Sequence, residues 1–218
     1  MISHVSTAGF FSSNQKMRAL CVAMLNYGAA AQTHFNYKAY DLMNASLTAE
    51  QKALVADYNA NMVAPLTTVS GAKSVKFPYS GFKSRYPSIS FDGIFSINYY
   101  FTPSYTMDGD MTLYYWDLNT YANCTVLTPE NATGSVIMDA TGAGSYKGTV
   151  ANIAAKEIDQ TIFVAGVYTS GGTTYTTGVL PYSLGAYCVD RTTNATGTMQ
   201  PFAAATAVYG YYAKAYFA

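Results

Sequence analysis

Charge is what this chain has least of. Only 11% of its 218 residues are Asp, Glu, Lys or Arg, against the quarter or so usual in soluble domains, and twelve basic side chains cancel twelve acidic ones. No Lys/Arg run occurs, so the electrostatic footprint that nucleic acid or an anionic lipid surface demands is missing, and neither is an expected partner. Long apolar runs are missing too. The most apolar stretch, Ala19 to Ala31, falls short of the roughly 20 residues that cross a bilayer and contains Asn26, so no membrane insertion is expected. Residues 1–16 lack the basic start and apolar core of a secretory leader, which reads as a cytosolic chain or an excised piece of a longer one. The three cysteines, Cys21, Cys124 and Cys188, match no zinc spacing, and their odd number prevents a fully paired framework. Three thiols are the favoured reading, with a single Cys21–Cys188 bridge as the alternative. His4 and His34 have no His or acid one helical turn on, so a two-histidine metal site is not expected. Neither a Gly-x-Ser-x-Gly elbow nor a phosphate-binding Gly-x-x-x-x-Gly-Lys loop is present, and Gly142, Gly144 and Gly148 have the wrong spacing for a dinucleotide. The chain is therefore expected to carry no cofactor and to be no enzyme.

What is abundant is hydrophobic and aromatic: half the residues are apolar, and there are 21 tyrosines. Met17, Leu20, Cys21, Met24, Gly28, Ala31 and Phe35 fall at spacings of three and four, which predicts a helix over Lys16 to Phe35 with Asn14 as its cap. A second, short helix is announced by the Thr48/Gln51 capping-box pair and the apolar face Leu54, Val55, Tyr58, Met62, ending at Pro65. Beyond Leu66 the pattern becomes that of strands, with β-branched and aromatic residues alternating between Gly, Pro, Asn and Asp turns. Phe91 to Phe101 alternates most clearly, with Phe95, Ile97, Tyr99 and Phe101 on one face and Ser96, Asn98 and Tyr100 on the other. Met111–Trp116, Ser135–Met138, Ser145–Ala151, Thr161–Thr169 and Thr173–Ser183 read as further strands. So many short strands in so few residues predict an α+β chain, an antiparallel β-sandwich of immunoglobulin or fibronectin type flanked by helices at both ends. The expected division is a helical segment over 1–66, the sandwich over 67–190, and a C-terminal helix over 191–218 packing on the N-terminal segment or the sandwich.

The chain also resembles itself. Laid over Met199 to Phe217, Met17 to Phe35 aligns Met17 with Met199, Ala23 with Ala205, Tyr27 with Tyr209, Gly28 with Gly210, Ala31 with Ala213 and Phe35 with Phe217. Two copies of one helix imply that Tyr27, Gly28, Phe35, Tyr209, Gly210 and Phe217 are helix-packing positions. They also imply that the first helix is the remnant of a preceding module.

The run from Met24 through Tyr37, followed by Leu42 to Ala45 and Leu47 to Gln51, resembles a repeated module of large uncharacterised surface proteins of gut Gram-positive bacteria. So does Ile153-Ala154-Ala155-Lys156-Glu157-Ile158, which leads through Thr161 and Tyr168 to a Gly-Gly turn and Tyr182-Ser183. That resemblance covers about a third of the chain. It implies secretion, cell-wall association and tandem repetition, with neighbouring modules of the same protein as partners, and it brings no catalytic residue with it.

Two groups remain as candidate contact sites. Asp108 and Asp110 flank Gly109 and are weak calcium candidates, since two acids fall short of the six to eight oxygens that ion takes, and a hairpin turn is the favoured reading. Aromatics crowd the region from Tyr99 to Tyr121, and alternation sends Tyr100 and either Tyr115 or Trp116 outward. Tyr100, Tyr114, Tyr115 and Trp116 are thus candidates for contact with a host protein or a glycan, with burial beneath the helices as the competing reading. The expectation is a non-catalytic structural or adhesive module on the bacterial cell surface. A carbohydrate-binding module or a small glycoside-acting enzyme is the alternative.

Overall fold

The computed structural model describes residues 13–35, 82–90 and 95–218. The second helix expected from Thr48 to Met62 and the Phe91 to Gly93 start of the alternating strand lie outside them. The chain divides into two compact units, one of Met1–Val69, Ala154–Asp159 and Gly185–Ala218, the other of Ser70–Ile153 and Gln160–Leu184. No helix among the described residues is long and apolar enough to cross a membrane.

In the first unit, α1 spans Gln15–Phe35. Asn14 caps it as expected: its side-chain oxygen accepts from the Met17 N–H at 3.2 Å and its carbonyl from the Arg18 N–H at 3.1 Å, satisfying donors that a helix start leaves free. Two helices lie at the other end of the chain, after the short α2 (Leu118–Asn123) of the second unit. The first, α3, covers Leu184–Asn194, and the second, α4, covers Met199–Phe217. Pro201 is tolerated in the first turn of α4 because its missing N–H would have no intrahelical acceptor there. Small residues decide what α4 touches. Ala204 and Val208 pack on Ala23 of α1, Ala203 and Ala207 pack on Cys188 of α3, and Gly210 lies against Ile158 beside a single 3-10 turn at Ala155–Glu157. Alanine on successive faces lets three neighbours approach one helix closely, which larger side chains would prevent. Lys214 of α4 is ion-paired to the largely buried Asp159, and the Gly185 N–H donates to the Ile158 carbonyl at 2.6 Å.

The second unit is built of two antiparallel sheets. One runs β1 (Phe82–Ser90), β2 (Phe95–Pro103), β6 (Tyr146–Ile153), β5 (Asp139–Ala140); the other runs β4 (Gly134–Ile137), β3 (Thr112–Trp116), β7 (Ile162–Ser170), β8 (Thr173–Thr176), with β9 (Leu180–Tyr182) also on β7. The α+β class with helices at both ends is as the sequence predicts. Two glycines bring the sheets together: a β-carbon on Gly166 of β7 would stand 2.7 Å from the Phe101 ring on β2, and one on Gly148 of β6 would stand 2.9 Å from Leu113 on β3. The chain changes sheet at Met138, whose N–H donates to the Met111 carbonyl at 2.8 Å.

The sequence reading departs from the structure in three places. β1 is a strand that the pattern does not announce, because Pro87 and a register shift between Arg85 and Ser88 interrupt its alternation; Pro is accommodated because β1 is an edge strand. The expected strand Thr173–Ser183 is broken at Thr177, whose Oγ1 takes the Gly166 N–H at 2.9 Å before Gly178 turns with φ of 71°. Residues 184–190, expected to belong to the sandwich, instead join 191–194 of the expected C-terminal segment in a helix of their own, α3.

Candidate functional site

On β3, Leu113 faces the opposite sheet, so alternation turns Tyr114 and Trp116 to the outer face. Trp116 is nevertheless only 1% exposed. After it the chain folds back as a short helix, α2 (Leu118–Asn123), and a turn at Pro129–Asn131, so that Tyr121 and Leu127 close over Trp116, Phe163 and Ala165. The Trp116 Nε1–H donates to Asn131 Oδ1 at 2.9 Å, and the Tyr121 and Phe163 rings stack. Asn131 holds the fold-back together: it also accepts from the Thr128 N–H at 2.9 Å and donates to the Val126 carbonyl at 2.8 Å. The outermost aromatic candidate is therefore a core residue. Tyr114 packs half-buried against the same cluster, and the Tyr115 ring lies against Gly134 directly across the ladder. Asp117 caps α2. Partial burial pushes its carboxyl up, but hydrogen bonds from the Thr120 N–H at 2.7 Å and from the Thr133 hydroxyl at 3.2 Å outweigh that and hold it below the ordinary carboxylate value.

Tyr100 lies on the outer face of the first sheet, half-buried, its hydroxyl 3.1 Å from Ser88 Oγ. Around it the polar residues are joined across strands: Asn98 accepts from Thr149 at 2.8 Å and donates to Ser88 and Ser90 at 3.4 Å. Ser96 and Asn98, expected on the face opposite the apolar one, are buried there, and cross-strand hydrogen bonds offset the loss of water around Asn98. On the opposite face burial pushes the Tyr99 phenol up.

Asp108 and Asp110 are both exposed, and among the described residues no group of three His, Cys, Asp or Glu could hold a metal ion. Asp108 instead clips the β2–β3 loop to the β7–β8 hairpin. Its N–H donates to the Thr169 carbonyl at 2.8 Å, and Oδ2 accepts from the Gly172 N–H at 3.4 Å. The clip positions an aromatic column that the sequence did not single out: Tyr105, 50% exposed, packs at 4.9 Å on Tyr175, which stacks at 5.3 Å on the buried Tyr168. Tyr168 and Tyr175 are directly paired across the β7–β8 ladder, a register that only the Gly171-Gly172 turn sets.

Among the helix-packing candidates, Tyr27 and Tyr209 stack on each other at 5.1 Å, and Tyr27 also meets Phe202 at 6.1 Å. Burial first, then the neighbouring Tyr209 and Cys188, pushes the Tyr27 phenol up to about 12; burial likewise raises Tyr209. Gly210 is buried, Gly28 is half-buried, Phe217 is 59% exposed, and the Phe35 side chain lies outside the described residues. All three cysteines are free thiols, and burial pushes Cys188 up to about 12.

No protein-family model matches this chain, nor does any curated protein. Two solved structures are similar. One is a laminaripentaose-producing β-1,3-glucanase of glycoside hydrolase family 64 from Paenibacillus barengoltzii, complexed with laminarihexaose, at 18% identity and a TM-score of 0.32 over 49% of this chain. This chain covers 21% of that enzyme's length. The other is BhCBM56, a carbohydrate-binding module solved as a bromine derivative, at 16% identity and a TM-score of 0.31 over 46% of this chain and 97% of that one.

Proposed function

We propose that this chain is a non-catalytic structural module of an extracellular bacterial surface protein, joined to neighbouring modules through its alanine-rich helices. The observation that carries the reading is the stack of Tyr27 on Tyr209. These residues occupy equivalent positions in the two copies of one helix, and a contact between equivalent positions is what a pair related by a local two-fold axis makes. A helix whose repeated face is complementary to itself serves as a joint: the copy left from one module closes the helical unit of the next.

The strand order supports an immunoglobulin-type sandwich. Read as A to G, β1-β2-β6-β5 against β4-β3-β7-β8 becomes A-B-E-D facing C′-C-F-G. Such sandwiches recur as rigid units in extracellular chains. The strongly placed titratable groups also support a structural role, since Asp117 caps a helix and Asp159 pairs with Lys214.

Surface labelling and protease shaving of the source bacterium, read with an antibody to this module, test the proposal. A protease-accessible band much larger than 218 residues is expected. A cytoplasmic band of this chain alone would contradict it.

A further inference from the structure

The column of Tyr105 and Tyr175, seated on the buried Tyr168 and held by the Asp108 clip, has no part in the helix joint. Tyr168 and Tyr175 support Tyr105 from one side, leaving the ring half exposed at the end of the second unit. A half-exposed tyrosine in a free loop would lose rotamer freedom on binding anything. This one has already lost it, because it is packed on Tyr175 and its loop is fastened to the hairpin through both the N–H and the carboxylate of Asp108. The composition of the two segments that carry the column is one-sided. Residues 104–110 and 170–176 contain Ser104, Thr106, Asp108, Asp110, Ser170, Thr173 and Thr174 but no Lys or Arg. Asp110, Thr106 and Ser104 are exposed beside the ring in sequence, and Gly171, Gly172 and Thr173 are exposed on the hairpin.

The geometry points to a binding site for a neutral polysaccharide at this end of the sandwich, with Tyr105 as the stacking platform and Asp108 and Asp110 as hydroxyl acceptors. The apolar face of a pyranose ring carries C–H groups that suit the electron-rich face of an aromatic ring, while its equatorial hydroxyls donate outward to acceptors at the rim. An anionic glycan or a phosphate would meet the carboxylates of Asp108 and Asp110, with no Lys or Arg in these two segments to offset them, which disfavours it. This inference stands apart from the helix joint, since it uses none of the residues of the first unit. It also replaces Trp116, which is buried, with Tyr105 as the aromatic that meets sugar.

Native affinity electrophoresis of the full chain tests it, in gels containing laminarin, hydroxyethylcellulose, arabinoxylan or galactomannan. Retardation in at least one polymer is expected. Tyr105→Ala should weaken that retardation about tenfold or more, as loss of a central aromatic anchor does. Tyr105→Phe should retain it, and Asp110→Asn should weaken it without changing the melting temperature. Absence of retardation in all four polymers, or a Tyr105→Ala variant that migrates as the parent does, would overturn the assignment. Circular dichroism spectra of each variant that match the parent's keep a folding defect from being mistaken for loss of binding.

Discussion

A β-carbon added at Gly210 would overlap the side chain of Ile158, itself almost wholly buried, and would approach the Ala155 carbonyl oxygen to 3.1 Å. Alanine is the better helix former by about 1 kcal/mol, whereas overpacking a closed contact costs about 1–3 kcal/mol. Gly210→Ala should therefore destabilise the protein by about 1 kcal/mol net, and a raised melting temperature would refute the close packing. Asp117 allows a second prediction. Its carboxyl is held below the ordinary value in the fold, so its contribution is present above the unfolded value of 3.8 and is lost as pH falls through the folded one. Asp117→Ala should cost about 1 kcal/mol at neutral pH, as loss of a helix cap does, and the difference from the parent should shrink in acid. Urea unfolding at neutral and acid pH measures both effects. Residues such as these are only partly legible in sequence. Asn14 is recognisable as a cap from the stripe that follows it, whereas Gly210 is recognisable as special only through its alignment with Gly28, and nothing local reveals that Ile158 is its neighbour.

Elements are legible where one periodicity runs uninterrupted. The stripe of α1 gives its bounds to within a residue, and the alternation of Phe95 to Phe101 gives the inward face of β2. The exceptions have physical causes. Pro87 masks an edge strand, Thr177 replaces a ladder bond with its own hydroxyl, and the fold-back at Asn131 buries a tryptophan that alternation sends outward. The aromatic column was beyond reach because Tyr105 and Tyr175 are seventy residues apart and meet through a hairpin register. The pairing of α1 with α4 yields an element-scale prediction. In a double-mutant cycle, Tyr27→Ala and Tyr209→Ala should each destabilise the fold, with a coupling energy of about 0.5–1.5 kcal/mol between them, the range for a stacked aromatic pair. Additive losses would deny the contact. The same helix pair makes an alkaline prediction: because the Tyr27 phenol is pushed from 10.0 up to about 12, the stability that it confers is full below pH 10 and is lost as pH rises toward 12. Phenolate absorbance and helical circular dichroism should therefore change together, and ionisation of every tyrosine with helicity intact would contradict this.

At the scale of the whole chain, the central claim is that the repeated helix is a joint. The offset of the two copies, Met17 against Met199, sets the period of the array that the claim implies, and a fusion of two copies overlapped on that helix reproduces one joint. A packed helical joint restricts bending where a Gly/Ser linker would not. The likeness of the two helices was legible in the sequence, because it is carried by residue identity at a constant offset and needs no three-dimensional information. The contact between equivalent tyrosines is what the structure adds. Small-angle X-ray scattering of that fusion tests the claim most directly. A single, narrow distribution of inter-module distances, unchanged between low and high salt, is the predicted result. A broad distribution, as given by two independent domains on a flexible link, would contradict it.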